Sequence, residues 1–584
     1  MADSENIQWN YSSYTDSKGR TYIISYYNKW DAVKKQSRIA KRIHVGRLNS
    51  DTGEVSLSSR FLELHPEYVA ESVFYEDNQL VVRTDAEVEA IRNEAQSDLS
   101  WRCDCVSYGL TYALWEVAKK YEITSALTEV FGSENGLELL RLGIYELCSH
   151  GMAMQNYEEW LPMYYLPDAK PLSSQTISTL LASVNQENMD KYFSLRQTRL
   201  SKIHKEIKAD AAKAGKEVTP MMMAIDSTSI STYSQTIGNA AYGHAKQDDF
   251  LKQVNLTLCV DYKSGDVCYA YESEGSVNDM TVFSDILTRM QTVGLDLSDV
   301  LLVTDRGYSS VMNIQRQLNC SLKFLTGVRL SEDSVKAQIN RYKASLSSPV
   351  FLNGRMGVYA RSGDTEHWSS TSDGVTLSTD VYLHLYRDGA LGERQNAAFM
   401  SEVQRLLDIK NLNLKNDNNL WNNYRHYIEQ DSKSGKWNMK VSSIEKACRY
   451  NGYFAIRTNT ISDPFDSLVV YRERNIVEMA FKQFKVFNDG QRLNATASSY
   501  KGKIFIHILA QTLRMLMCVA ASGHKAEGKV LPGESFDKAM LILRNLQASR
   551  PAGRGIYIVK EISKKVRDLF DLFDVPYPKK HVKN

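Results

Sequence analysis

The chain has 584 residues, of which 43% are hydrophobic and 24% charged, the balance of an ordinary soluble globular protein of about four domain-sized units. That balance excludes a disordered chain, a collagen-like repeat and a disulfide-dense miniprotein. A formal net charge of +2 also excludes nucleic-acid binding through bulk charge, so any polyanion partner has to be met by local basic patches. The eight cysteines form no CxxC pair. Cys103-Asp104-Cys105 could offer two thiolates to zinc, but no second pair follows at finger spacing, which favours reduced thiols. The opening MADSENIQWN lacks the apolar core of a signal peptide. The longest apolar stretch, Ile504 to Ala521, is broken by His507, Gln511 and Arg514 and reads as too polar to span a bilayer. The expectation is a cytoplasmic protein with no membrane partner.

Along the chain, Thr21-Tyr22-Ile23-Ile24-Ser25-Tyr26-Tyr27 is an aromatic, β-favouring run after a Lys18-Gly19-Arg20 turn. Lys29, Lys34, Lys35, Arg38, Lys41, Arg42 and Arg47 accompany it, with Asp31 as the only acid from 18 to 47. A small basic β-rich unit of this kind suits either DNA contact or a merely solvated face. From about 85 the texture turns helical. Ala86 to Gln96, Thr111 to Tyr121, Gly136 to Cys148, Gln175 to Val184 (capped by Ser173 or Ser174) and Met189 to Ala214 all read as helices. From Met221 short apolar runs take over: MMMAID, a VNLTLCVDY/DVCYAYES hairpin, a helix from Asn278-Asp279 to Met290, VLLVTD, the helix SSVMNIQRQLN and LKFLTGVRL. Three strands, a helix, a strand, a helix and a strand is an order typical of a ribonuclease-H-like fold. Residues 331–450 break the rhythm with Gly354, Gly357, Gly363, Gly374 and Gly389 and read as an insertion. Regular structure resumes with GYFAIRTN and a long helix from Pro464 to Phe487, with Asp463 as its cap and Gly490 beyond its end.

Three carboxylates then stand at informative places. Asp226 closes the MMMAID strand, Asp305 closes VLLVTD, and Glu478 lies on the long helix. Acids at strand ends are mostly solvated or capping. Two at neighbouring strand ends with a third on a flanking helix can instead bind two Mg²⁺, a hard cation that takes oxygen ligands. On a continuous helix, Tyr471, Arg474, Glu478 and Lys485 fall within about 60° of one another. Val477, Phe481, Phe484 and Phe487 make the neighbouring apolar stripe. A salt-bridged surface helix would explain Arg474 and Glu478, but neither the lysine nor the two aspartates.

The pattern Tyr471, Arg474, Glu478, Lys485 resembles the tyrosine–arginine–glutamate–lysine signature of insertion-sequence-four-type bacterial DDE transposases. The Asp226 and Thr304-Asp305-Arg306-Gly307 segments resemble that family's other acidic motifs. The likeness covers about 221–521, with a looser one at Gly46-Arg47-Leu48. It implies an α/β protein whose ribonuclease-H-like core (219–330 and 451–525) is interrupted by a β-rich insertion (331–450). Before the core come a basic β-rich DNA-binding module (1–84) and a helical domain (85–218), and after it a helical C-terminal region (526–584). Asp226, Asp305 and Glu478 would ligate two Mg²⁺, with Mn²⁺ as a substitute. Tyr471, Arg474 and Lys485, with Lys34, Lys35, Arg38, Lys41 and Arg42 of the opening module, would contact DNA. The implied activity is cleavage at the ends of a mobile element and transfer of the 3′-hydroxyl ends into target DNA. The implied partners are the element's terminal inverted repeats, target DNA and a second copy of the chain, in a bacterial cytoplasm and on the nucleoid when DNA-bound. The family's insertion often helps to hold a flipped base, a role open here to Trp368 or Trp421. The rival readings are a two-metal nuclease that cuts without joining, and a DNA-binding protein descended from a transposase.

Overall fold

A computed structural model describes residues 9–16, 20–31, 34–49, 52–92, 103–213, 220–243, 250–277, 279–294, 297, 299–372, 375–415, 417–482, 484–485, 492–551 and 556–583. The chain divides into two compact units, one of Met1–Val106, Gln547–Lys560 and Lys579–Asn584, the other of Ser107–Leu546 and Glu561–Pro578.

In the first unit the aromatic, β-branched opening run becomes an antiparallel four-stranded sheet of Asn10–Thr15, Thr21–Asp31, Gln36–Leu48 and Val55–Leu57, paired in chain order. Its alternating residues Ile23, Ile43, Val45 and Val55 are buried with Phe61. Phe61 lies on the short helix Ser59–Leu64, whose first turn is capped by the Ser58 hydroxyl. Gly46 permits the close strand approach there, since a Cβ would stand 2.2 Å from the Ser56 carbonyl oxygen. The expected Lys18-Gly19 turn lies outside the described residues. A second sheet of this unit pairs Cys103–Ser107, Gln547–Pro551, Ile556–Val559 and His581–Lys583. The tail expected as helical from 526 onward is therefore partly strand, because Ile556-Tyr557-Ile558-Val559 is a β-branched and aromatic run with too few residues for a helix. The Cys103-Asp104-Cys105 pair sits in this sheet, and the Cys105 thiol donates to Gln547 Oε1 at 3.3 Å.

The second unit is built on a mixed sheet of ten strands. They are β1 (Met221–Thr232), β2 (Lys252–Asp261), β3 (Val267–Glu274), β4 (Val300–Thr304), β5 (Lys323–Val328), β6 (Leu352–Asn353), β7 (Val358–Ser362), β8 (Glu366–Ser372), β9 (Val375–Asp388) and β10 (Tyr453–Thr458). Their order across the sheet is β3-β2-β1-β4-β5-β10-β9-β7-β6, with β8 paired to β9. β4 runs parallel to both β1 and β5, while β2 is antiparallel to β1 and β3. The apolar runs of β1, β4 and β5 are buried on both faces, as strands of an inner parallel layer are. The segment expected as an insertion continues the same sheet, since β9 pairs with β10 from Tyr382↔Thr458 to Arg387↔Tyr453.

Helices Gly109–Lys120, Ile123–Phe131, Ser133–Ser149, Ser174–Ala182 and Gln186–Lys213 precede the sheet. The last is tied to it by Arg196 on Asp266, both fully buried, and by the Tyr269 hydroxyl of β3, which donates to Asp190 at 3.2 Å. The expected long helix after β10 is two helices, α1 (Pro464–Arg472) and α2 (Asn475–Lys482). α1 packs over β5, β7, β9 and β10, whereas α2 packs over β1 and β2. One straight rod could not cover both halves of the sheet, and the polar Glu473-Arg474 link allows the change of direction. Phe487 and Gly490, its expected end, lie outside the described residues. α3 (Tyr500–Gly523) follows; with the turn after it, it is long and apolar enough to cross a membrane, yet 83% of its most apolar window is buried inside the protein. His507, Gln511 and Arg514 on it are all buried.

Candidate functional site

The sheet register sets up the site. β4 pairs with β1 so that Thr304 lies opposite Ile225. The next residues, Asp305 and Asp226, therefore stand side by side, Asp305 just past the end of β4 and Asp226 within β1, at an inter-strand spacing of about 4.8 Å. Asp226 does not close its strand as expected. β1 runs on to Thr232 because Ser227–Thr232 pair with β2 in unbroken register, and the alternating β-branched residues suit a strand. Asp305 does end its strand, and its carboxylate caps the turn Arg306–Tyr308 by accepting from the Arg306 N–H at 2.6 Å. A buried hydroxyl contact of 2.8 Å between Thr304 and Thr326 locks β4 to β5 just below it.

The third carboxylate comes from α2. Val477, Ala480 and Phe481 bury the sheet-facing side of this helix, which leaves Glu478 with a half-exposed side chain. The break between α1 and α2 places Tyr471 at the end of the first helix and Arg474 in the link. From there the Tyr471 hydroxyl donates to Asp305 Oδ1 at 3.4 Å. The Arg474 guanidinium reaches Asp226 Oδ2 at 3.3 Å and binds Glu478 Oε1 with its other terminal nitrogen. Five of the six residues singled out around the carboxylates thus converge. Lys485 lies past the end of α2, in a π-helical turn that it shares with the buried Phe484.

The charges follow from this packing. Burial pulls the Arg474 guanidinium down, but Asp305, Tyr471, Asp226 and Glu478 together outweigh it and hold the group above its ordinary value. Tyr471 is pushed up to about 12 by burial and by the neighbouring Asp305 charge, so the phenol stays protonated and can only donate to that carboxylate. Asp226, Asp305 and Glu478 present hard oxygen donors, the set that suits Mg²⁺ or Mn²⁺. Their separation is set by Arg474, which stands between Asp226 and Glu478. Among the described residues no three His, Cys, Asp or Glu side chains close around one point. The donor chemistry fits a divalent ion, and Arg474 brings a positive charge to two of the three carboxylates.

Two supporting residues were not singled out from sequence. A Cβ on Gly327 of β5 would stand 2.4 Å from the Tyr471 hydroxyl, so only glycine lets the phenol lie across the strand toward Asp305. The signal was a lone glycine between Thr326 and Val328 in an apolar strand. Arg329 donates to the carbonyl oxygens of Arg306 and Gly307 at 3.1 and 3.3 Å and braces the turn that Asp305 caps.

The remaining expected residues fall elsewhere. In the other unit Arg38, Lys41 and Arg42 are exposed on the third strand of the four-stranded sheet, and Lys34 and Lys35 are exposed in the turn before it. Trp30 is 68% and Ile39 56% exposed there, and Arg42 stands 5.2 Å from the Tyr14 ring centre. Trp368 packs against Ile314, Leu318, Phe324 and Val381. Trp421 packs edge-on to Trp437, with the Lys410 ammonium 4.0 Å from its ring centre. Both indoles are half-buried against these neighbours.

The sequence matches the family model described as a transposase DDE domain over residues 219–513, just over half of the chain. The chain belongs to the DDE-domain transposases. The matched span holds the whole ten-stranded sheet and all three carboxylates. DDE-domain transposases cleave and transfer DNA strands, and their domains generally use divalent metal ions. No curated protein matches the sequence. Among solved structures, a piggyBac transposase synaptic complex with hairpin DNA, seen by cryo-EM, aligns over 74% of this chain and 79% of that one, at 10% identity and a TM-score of 0.35.

Proposed function

We propose that this transposase is of the insertion-sequence-four type and moves its element by cut-and-paste, with a ribonuclease-H-like core whose β3-β2-β1-β4-β5 order carries Asp226 and Asp305 on neighbouring strands. The observation that carries the reading is the meeting of Tyr471, Arg474 and Glu478 with those two aspartates. A generic acidic surface would need no buried arginine and no protonated phenol at the same place. Asp226, Asp305 and Glu478 would hold two Mg²⁺, which when bound supply Lewis acidity at the scissile phosphodiester. The Tyr471 phenol orients the Asp305 carboxylate by donating to it. Arg474 and Lys485 contribute cationic donors for strand phosphates, Arg474 through a planar fork that matches phosphate oxygens. The exposed basic sheet of Lys34, Lys35, Arg38, Lys41 and Arg42 engages the terminal inverted repeats. A homodimer pairs the two ends in a bacterial cytoplasm.

The test is joining. Pre-cut duplexes carrying the inverted repeats that flank the reading frame are incubated with supercoiled plasmid, protein and Mg²⁺. Covalent end-to-plasmid products are expected, and Asp226→Asn, Asp305→Asn and Glu478→Gln should each abolish them while DNA retention persists. Cutting without joining would move the protein to the nucleases. Retention of DNA with neither reaction would leave only a DNA-binding descendant.

A further inference from the structure

The four-stranded sheet of the first unit has a face that its hydrophobic core does not use. Alternation along Thr21–Asp31 turns Ile23 inward, into the cluster around Phe61, and turns Tyr22 and Trp30 the other way. Two extra residues interrupt the pairing with the third strand. Both, Ala40 and Val45, belong to that strand, so the middle strand keeps its period. The register then places Tyr14 of the first strand and Arg47 of the third beside Tyr22, and Arg42 beside Tyr26.

Rings and cations share this face. Tyr14 and Tyr22 stack with ring centres 5.6 Å apart, and the His44 ring follows at 5.4 Å from Tyr22. The Arg20 guanidinium stands 5.9 Å from the Tyr22 ring centre, and that of Arg42 stands 5.2 Å from Tyr14. Arg42 thus reaches diagonally over the middle strand, and Ile24 beneath that line is buried although it points outward. Tyr14 keeps 41% of its surface exposed, and Trp30 keeps 68%. At strand rise the row from Tyr22 to Trp30 is roughly 27 Å long.

The positions between the rings are neutral: Ser12, Asn28 and Ser37 share the outward side. Asp16, just past the first strand, is already paired with Arg20 at 2.8 Å. This combination of flat rings and cations discriminates between partners. A duplex offers phosphates but keeps the faces of its bases stacked on one another. An acidic protein surface offers carboxylates but no succession of flat rings. An unpaired strand offers both, bases for the rings and phosphates for the cations. Outward aromatics of a four-stranded sheet that stack successive bases are a recurrent mode of single-strand binding.

We propose that this face binds single-stranded DNA, with bases stacked on Tyr14, Tyr22 and Trp30 and phosphates held by Arg42 and Arg47. A base on Tyr14 takes the place of the Arg42 guanidinium, which then meets a phosphate. This goes beyond the duplex contact proposed for the basic residues of the same sheet. The choice of DNA rests on the transposase reading, in which a strand cut at the element end can leave its complement; the stacking itself does not.

Full-length protein in EDTA, where cleavage cannot contribute, is titrated by fluorescence anisotropy with labelled dodecathymidylate, which neither pairs with itself nor carries element sequence. The same titration is made with a guanine–cytosine-rich duplex of equal length, with dodecauridylate, and with a strand of equal length that bears no bases. Saturable binding of the thymidylate is expected, tighter than of the duplex or the abasic strand and no weaker than of the uridylate. Tyr14→Ala and Trp30→Ala should each weaken it by roughly five- to a hundredfold, the worth of one base–aromatic stack, with the slope of log affinity against log salt unchanged. Arg42→Gln should instead lower that slope by about 0.7. All three side chains are exposed, so the variants should melt with the parent. Tyr14→Phe keeps the ring and should bind as the parent does, which separates loss of stacking from loss of fold. Absence of binding, an abasic strand or duplex held as tightly, a tighter uridylate complex, parent-like binding by both alanine variants, or weakening in Tyr14→Phe would overturn the proposal. Joining of inverted-repeat duplexes is measured separately, so failure of this face and failure of the transposase reading are told apart.

Discussion

Arg474 is the residue whose loss tests the electrostatic account of the site most directly. Its guanidinium touches Asp226, whose side chain is 20% exposed, and Glu478, which is 52% exposed. The Glu478 contact is an exposed i,i+4 pair and contributes only about 0.3–0.5 kcal/mol. The contact to Asp226 is a partly buried charged hydrogen bond of about 1.5–3 kcal/mol. Arg474→Gln should therefore cost about 2–3 kcal/mol, a fall of roughly 2–3 °C in melting temperature for a unit of this size. The same substitution removes the cation that competes with a divalent ion for these oxygens. Thermal melts with and without Mn²⁺ should then show a larger metal-induced stabilisation in the variant than in the parent, and calorimetric Mn²⁺ titration a tighter site. Strand joining should fall despite the tighter ion, because the phosphate donor is gone. A variant as stable as the parent, with the same response to Mn²⁺, would refute the claim that Arg474 supplies the charge holding these carboxylates together.

Gly327→Ala should force the Tyr471 hydroxyl off Asp305, because its new Cβ would meet that oxygen at 2.4 Å; single-turnover cleavage should drop about 10–100-fold with little change in melting, and parent-like cleavage would show the phenol to be a bystander. Replacing Arg38, Lys41 and Arg42 with alanine should reduce the slope of log affinity against log salt by about 2–3 in gel-shift titrations of end DNA, and an unchanged slope would mean a solvated face. These exposed substitutions are a cleaner probe than truncation of residues 1–60, which would strip Ile23, Ile43, Val45 and Val55 from around Phe61. His384 is buried with Nδ1 at 3.0 Å from the Ser362 hydroxyl and Nε2 at 2.8 Å from the Ile461 carbonyl, and burial holds its pKa below the ordinary value. Its contribution is complete above the unfolded value of about 6.5 and is lost as pH falls toward the lower folded one. Urea midpoints at pH 7.5 and pH 5 should accordingly differ less in His384→Gln than in the parent.

The sequence was most legible where one physical signal acted alone. The continuous apolar runs of β1, β4 and β5 and the Lys263-Ser264-Gly265 turn between β2 and β3 could be read directly, because burial on both faces and positive φ at Gly265 (+70°) each leave a mark on composition. A serine cap at 173 or 174 could also be read, and it is the Ser173 hydroxyl that accepts from the Thr176 N–H. What was not legible depends on distant partners. β9 belongs to the central sheet only because β10, some seventy residues later, lies beside it, and Gln547–Pro551 is a strand only because it pairs within its own small sheet. Asp226 was placed one strand-end too early because the polar Ser227–Thr232 run reads as a loop until β2 is seen opposite it.

The break between α1 and α2 changes what the spacing of Tyr471, Arg474 and Glu478 means. On an unbroken helix those residues would share one sector and face one neighbour. In the folded chain the tyrosine and the arginine are aimed at different strands: Tyr471 at Asp305 after β4, and Arg474 at Asp226 on β1 while it also holds Glu478. A helix that continued through Glu473 would keep the tyrosine and the arginine on one line, over one part of the sheet. The break is fixed by packing, since Leu468 on α1 belongs to the cluster of Leu301, Val303, Tyr386 and Ile456, while Val477 and Phe481 on α2 cover β1 and β2. The spacing is thus a consequence of two packing faces meeting at a polar link. The carboxylates are brought into register by the hydrophobic core beneath that link, and from the link Arg474 touches both Asp226 and Glu478.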